Sequence, residues 1–205
     1  MVEVSSGLRQ EQGLETLEVV LTDLYPNHSA AAEIEALGLP HLRCEEESVD
    51  ATRVPEHLEG VRTMICSMHH MPPPVAKEIL SDAFAKRQPI CIFEISDNGP
   101  PVWLFWLAMP FGFLMTLLLT PRVRPLTAHQ LIFTYLIPIL PLLIAWDGAV
   151  SNARTYTEED LRLLITAVEY WEDSLEIVGI RRCRHPGEKV YLLGLPEQGA
   201  EAAAN

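Results

Sequence analysis

The sequence predicts an α/β fold, a mostly parallel sheet covered by helices on both faces. Three observations predict it. Short β-rich runs alternate with helical stretches over the first hundred residues. The apolar runs VRTMICSM (61–68) and PICIFEIS (89–96) read as buried strands on either side of the helical PPVAKEILSDAFAKRQ (73–88), which carries Pro near its start. Two closing runs, SLEIVGIRRCR and KVYLLGLP, flank the turn His185-Pro186-Gly187-Glu188 and read as an antiparallel hairpin.

Taken in order, VEVSS (2–6) and LEVVLT (17–22) read as strands, and SAAAEIEALG (29–38) as a helix ending at Gly38. TEEDLRLLITAVEY (157–170) opens with a Thr N-cap and an acidic first turn, and spaces Leu161, Leu164, Ile165 and Val168 for one helical face. The tail EQGAEAAAN reads as frayed, and no internal repeat is present. At 205 residues the expectation is a single domain spanning 1–205.

Composition narrows the function. Fifteen basic residues against 28 acidic ones give a formal charge of −13, which argues against general nucleic-acid binding, where clustered Lys and Arg are needed. Cys44, Cys66, Cys91 and Cys183 form no C-x-x-C pair, so free thiols in a reducing compartment are expected and no metal site is. The polar start VEVSSGLRQEQ lacks the pattern of a cleavable signal and predicts a cytosolic start.

Two long apolar runs interrupt the pattern. VWLFWLAMPFGFLMTLLLT (102–120) has no charged residue, and LTAHQLIFTYLIPILPLLIAW (126–146) has only His129. Each is near the roughly 20 residues a helix needs to cross a bilayer core. The pair is expected as a helical hairpin, 102–146, inserted in the domain. The prolines at 110, 138 and 141, and two arginines (Arg122, Arg124) at the tip against the positive-inside tendency, favour a hairpin dipping into one leaflet. A spanning pair and burial against protein are the alternatives. A membrane-associated protein with its sheet domain in the cytoplasm is the resulting expectation, with self-association through the hairpin as a further one.

Several residues are placed for chemistry. Asp23, in LTDLYPN, follows an apolar strand, where an acid can hold ribose hydroxyls or merely cap an Asx turn. Asp50 in VDAT can accept from an adenine amine, with Ala51 offering its amide, or be a solvated loop acid. Ser67, His69 and His70 lie in SMHHMPPP after the strand; either histidine can line a substrate pocket or be structural. Neighbours on an extended chain point opposite ways, which argues against a shared metal. Glu94 is the one charge in ICIFEIS and is costly to bury unpaired, so it is expected to face a cleft.

In their order, VEVSSG, LTDLYPN, VDAT, TMICSMHHMPP and ICIFEIS resemble the class I S-adenosylmethionine (SAM)-dependent methyltransferases. The resemblance covers nearly the whole chain outside 97–145. It implies a Rossmann-like, mostly parallel seven-stranded sheet with an antiparallel C-terminal hairpin. Ser5, Ser6 and Gly7 would begin the glycine-rich loop at the methionine part of the cofactor. Asp23 would hold the ribose, Asp50 and Ala51 the adenine, and Ser67 to His70 would face the reacting methyl. The segment Trp146 to Ser151, with Trp146 and Asp147, resembles a substrate-side loop. One departure stands out: only nine residues, LRQEQGLET, separate Gly7 from the next strand, whereas a parallel crossover takes about a dozen, so the glycine-rich first unit is shortened.

The resemblance implies SAM-dependent methyl transfer to a small or lipophilic acceptor, with His69 or His70 as base. Its rival is a non-catalytic relative kept as a membrane-attached scaffold or partner-binding module. A third reading is that the sequence is a piece of a longer reading frame.

Overall fold

A computed structural model describes residues 2–11, 14–95, 101–168, 175–183 and 189–196. The chain divides into two compact units, Met1–Glu59 and Gly60–Asn205.

The first unit opens on a helix, α1 (Val2–Glu11), followed by strand β1 (Val19–Leu21), helix α2 (His28–Glu35) and strand β2 (Leu42–Cys44). β1 and β2 pair in parallel, Val19 opposite Leu42 and Leu21 opposite Cys44, as a strand-helix-strand order requires. The Asn27 side chain starts α2 by accepting from the Ser29 and Ala30 amides, both at 3.2 Å. Gly38 lies just past the helix at φ +65°, in the left-handed region that costs glycine least.

The second unit runs from β3 (Arg62–Ile65) through a one-turn 3-10 helix (Met68–His70), α3 (Pro73–Ala85) and β4 (Ile90–Glu94) into the helical middle of the chain. That middle comprises α4 (Val102–Leu119), a short α5 (Ala128–Leu131) continuing into a π-turn (Ile132–Leu136), and α6 (Ile139–Arg154). It then closes with α7 (Glu158–Thr166), β5 (Leu175–Cys183) and β6 (Lys189–Pro196). The sheet order is β3-β4-β6-β5, with β3 and β4 parallel and the other two pairings antiparallel.

Its core forms where α3 and α7 bring Ala76, Ile79, Leu80, Phe84, Leu161 and Ile165 together with Ile90, Ile92 and Leu192 of the strands. Each fully buried Ile, Leu or Phe contributes about 1.5–3 kcal/mol by leaving water. Between α3 and β3 the largely buried Asp82 pairs with Arg62 at 2.8 Å, and it also pairs with Lys86 at 2.7 Å.

The seven-stranded, mostly parallel Rossmann-like sheet does not form. Among the described residues six strands divide between a two-stranded and a four-stranded sheet, and the larger one has two antiparallel pairings to one parallel. The segment VEVSS is the main reason. It alternates like a strand, yet residues 2–11 are helical, closing their backbone hydrogen bonds within the segment and removing one strand from the expected sheet. The turn at 185–188, the tail from 197 and the last two residues of the helix expected over 157–170 lie outside the described residues.

Candidate functional site

The C-terminal ends of β3 and β4 lie side by side, Ile65 opposite Phe93. Along β4 side chains alternate between faces, so Glu94 shares the inward face of Ile90 and Ile92 and is only 3% exposed. A carboxylate at such a depth needs a partner.

The turn after β3 supplies it. Cys66 takes φ +51°, unusual for a non-glycine residue, and its amide donates to the Phe93 carbonyl at 2.8 Å. The chain then coils into the 3-10 turn, anchored by Met68, which is fully buried. This aims both the backbone N–H and the ring of His69 at Glu94: His69 N–H donates to Oε1 at 3.2 Å, and Nδ1 lies 2.8 Å from Oε2. A carboxylate accepts a hydrogen bond from the ring nitrogen facing it, and in the tautomer that donates Nδ1–H to Glu94 the other nitrogen, Nε2, is the acceptor. His70 is exposed and stacks on His69 with ring centroids 4.1 Å apart. The histidines are therefore on one side of a coil, in contrast to the opposed pair an extended chain would give.

Tyr156, between α6 and α7, donates its hydroxyl to the Met71 carbonyl at 2.6 Å and so holds the far end of the same turn. Burial, then the nearby Asp160 carboxylate, pushes its phenol above the ordinary tyrosine value. Burial also raises the Cys91 thiol. Sequence reasoning passed over Tyr156, whose signal, a tyrosine directly ahead of the Thr157 cap, is weak; the left-handed Cys66 has no sequence signal.

Thus the structure brings Glu94 and His69 together, with His70 beside them and Ser67 at the start of the turn. The other expected residues lie elsewhere. Ser5, Ser6 and Gly7 sit inside α1, so no glycine-rich loop exists there; Ser5 is buried with its hydroxyl 3.4 Å from His41 Nε2. Asp23 is exposed past the end of β1, and its Oδ1 accepts the Tyr25 amide at 2.9 Å, an Asx turn. Asp50 does the same for the Thr52 amide and hydroxyl, both at 2.8 Å, with Ala51 inside that turn. The two acidic segments are neighbours, since the Val49 amide donates to the Asp23 carbonyl at 2.9 Å. Trp146 and Asp147 are exposed on α6, and Trp146 packs on Trp106 at 5.2 Å between ring centroids; the loop expected over 146–151 is helix.

For a SAM-like cofactor the fit is divided. Asp23 offers an exposed carboxylate past the end of β1, whereas Ser5 to Gly7 are helical and offer no backbone cradle for a methionine end. Among the described residues no cluster of three His, Cys, Asp or Glu side chains is arranged for a metal ion.

No protein-family model and no curated protein matches the sequence. Solved structures with a similar fold include a LepI variant in complex with SAH and a substrate analogue (TM-score 0.52, 12% identity, 95% of this chain and 40% of that one). LepI in complex with SAM is another (0.50, 13%, 93% and 39%). A third is a putative Zn-dependent alcohol dehydrogenase from Rhodobacter sphaeroides (0.50, 10%, 88% and 76%). The chain spans about 40% of the length of the LepI chains it matches. At these identities the likeness is one of fold: this chain shares a fold with enzymes solved holding SAM and SAH.

Proposed function

We propose that the protein transfers a methyl group from SAM to a small or lipophilic acceptor, with His69 as the base. The observation that carries this reading is the His69–Glu94 pair, 2.8 Å apart at the ends of two adjacent parallel strands, where open α/β sheets hold their ligands. The fold shared with SAM- and SAH-bound enzymes supports the choice of cofactor.

When bound, SAM supplies a methyl group on a sulfonium. Glu94 holds His69 by two hydrogen bonds, one from its backbone N–H and one from ring Nδ1, and would stabilise the imidazolium that forms when Nε2 takes the acceptor's hydroxyl or amine proton. Bound SAM would supply the methyl group, and His69 would take up the proton that the acceptor gives up on methylation. Trp146 and Asp147 stay proposed substrate contacts.

Titration of SAM into the intact chain, followed by a transfer assay with hydroxyl, amine and lipid acceptors, tests the reading. His69→Gln is expected to lower transfer by about 10²–10⁴-fold, the usual range for a general base, while leaving SAM affinity in place. Absence of saturable SAM binding by the intact chain sinks the enzyme reading.

One observation favours the second reading, a non-catalytic partner-binding module: α1 stands where a glycine-rich loop was expected. Methyl transfer to any acceptor in a lysate screen would count against it.

A further inference from the structure

We propose that the α4–α6 hairpin is immersed in a lipid bilayer, with hydrocarbon as the solvent of its outer surface. The first argument is the sorting of side chains by size. Where the two helices meet, the residues are small or compact: a Cβ on Gly112 would lie 3.6 Å from Ala145, and Ala145, Ala149 and Pro141 are buried. The large side chains point away, with Leu107 68% and Phe111 66% exposed and Leu142, Leu143 and Ile144 each more than half exposed. The exposed positions of α4 from Trp103 to Leu119 sweep an arc of roughly 220° at 100° per residue. Water drives large apolar groups inward. Lipid gives no such drive, and helices pair there through small residues that let their backbones approach.

The polar groups agree. Thr116 donates to the Gly112 carbonyl at 2.9 Å, Thr120 to Thr116 at 2.7 Å and Tyr135 to Leu117 at 2.6 Å, so these hydroxyls are satisfied inside the hairpin, as hydrocarbon requires. Thr134 is the exception, buried with no partner for its hydroxyl among the described residues.

The ends fit two headgroup regions. Trp103, Trp106 and Trp146 gather toward one end, with Asp147, Asn152 and Arg154 continuing α6 beyond them; Arg122 and Arg124 stand exposed at the other. Aromatic rings and arginines are the usual anchors at a membrane surface. The 18 residues of α4 span about 27 Å at 1.5 Å each, against a hydrocarbon thickness of about 30 Å. Residues Trp103–Arg122 pass for a span by length and hydropathy with only 6% of the segment buried, while the opposite leg bends by 79° between Ala128–Leu136 and Ile139–Arg154. A second copy would cover one stripe, whereas the apolar surface here runs round more than half of α4.

The purified full chain carrying Trp171→Phe, so that emission comes from Trp103, Trp106 and Trp146, is mixed with vesicles of phosphatidylcholine and phosphatidylglycerol. Flotation with the vesicles and loss of tryptophan emission when the phosphatidylcholine carries brominated acyl chains are the expected results. Leu107→Glu with Leu114→Glu should abolish both while circular dichroism of the chain is kept. Flotation without acyl-chain quenching would overturn the proposal in favour of surface adsorption. A detergent-free monomer that does not float would overturn it, and so would a discrete dimer that does not float, which would assign the face to a second copy.

Discussion

Helices α3 and α4 make an instructive pair, because each follows one of two adjacent parallel strands, β3 and β4. α3 turns Ile79, Leu80 and Phe84 into the core and leaves Glu78 exposed. α4 has no charge at all, turns Gly112 toward its neighbour and sends Leu107 and Phe111 outward. The strand context is alike, so the difference lies in what each helix presents: a buried face backed by a charged one in α3, an apolar surface round more than half of α4, which is the difference the proposed bilayer accounts for.

The largest expected effect contrasts the two phenylalanines. Phe84 is 2% exposed, and Phe84→Ala should cost about 3–5 kcal/mol in chemical denaturation, the usual loss for a buried aromatic. Phe111→Ala in the same detergent-solubilised chain should stay within about 0.5 kcal/mol, as for other exposed sites. Equal losses would mean that Phe111 is packed against protein, and the contrast would collapse.

Next comes the polar counterpart. The hydroxyls of Thr116 and Thr120 find carbonyls four residues away, but Glu94 depends on His69, 25 residues distant. His69→Ala leaves a buried carboxylate with the amide at 3.2 Å as its remaining bond to that residue, and a loss of about 3 kcal/mol is expected. His70→Ala, removing an exposed ring, should cost far less. If both cost the same, the pairing with Glu94 carries no special weight in stability.

These two positions also show what the sequence made legible. Glu94 stood out because a charge in ICIFEIS has no cheap place to go, and parity along the strand puts it with Ile90 and Ile92. Its partner was less legible: reading SMHH as extended chain set the two rings on opposite sides, whereas a 3-10 turn stacks them. The strand-helix-strand reading of 61–96 matches the parallel pair β3/β4. The single, mostly parallel sheet expected from the alternation does not form: VEVSS alternates like a strand and folds as a helix, and local periodicity does not distinguish the two over five residues. Asp23 and Asp50 show the limit for sites: both stand after strands, and both spend a carboxylate oxygen on their own turns.

The close approach of α4 and α6 gives an intermediate effect. A methyl group at Gly112 meets Ala145 at ordinary contact distance, 3.6 Å, so Gly112→Ala should be neutral or gain up to about 1 kcal/mol from helix propensity. Gly112→Leu overfills the same space and should cost about 1–3 kcal/mol in detergent-solubilised unfolding. Tolerance of leucine there would show that small size at the helix contact is incidental and weaken the contrast with α3.

The smallest effect tests the joint between the two regions. Tyr156 follows α6 and donates to Met71, next to the histidine turn. Tyr156→Phe removes one hydrogen bond and should cost about 1 kcal/mol at neutral pH. Because burial and Asp160 raise the phenol's pKa in the folded chain, the fold holds this proton more tightly than the unfolded chain does. That contribution is present in full below the unfolded value near 10 and is lost as pH rises through the higher folded value. Urea midpoints of the parent should therefore fall on the alkaline side more steeply than those of Tyr156→Phe. Parallel alkaline limbs in the two proteins would mean that the phenol is solvated and does not tie α6 to the turn, leaving the hairpin free to shift without disturbing His69.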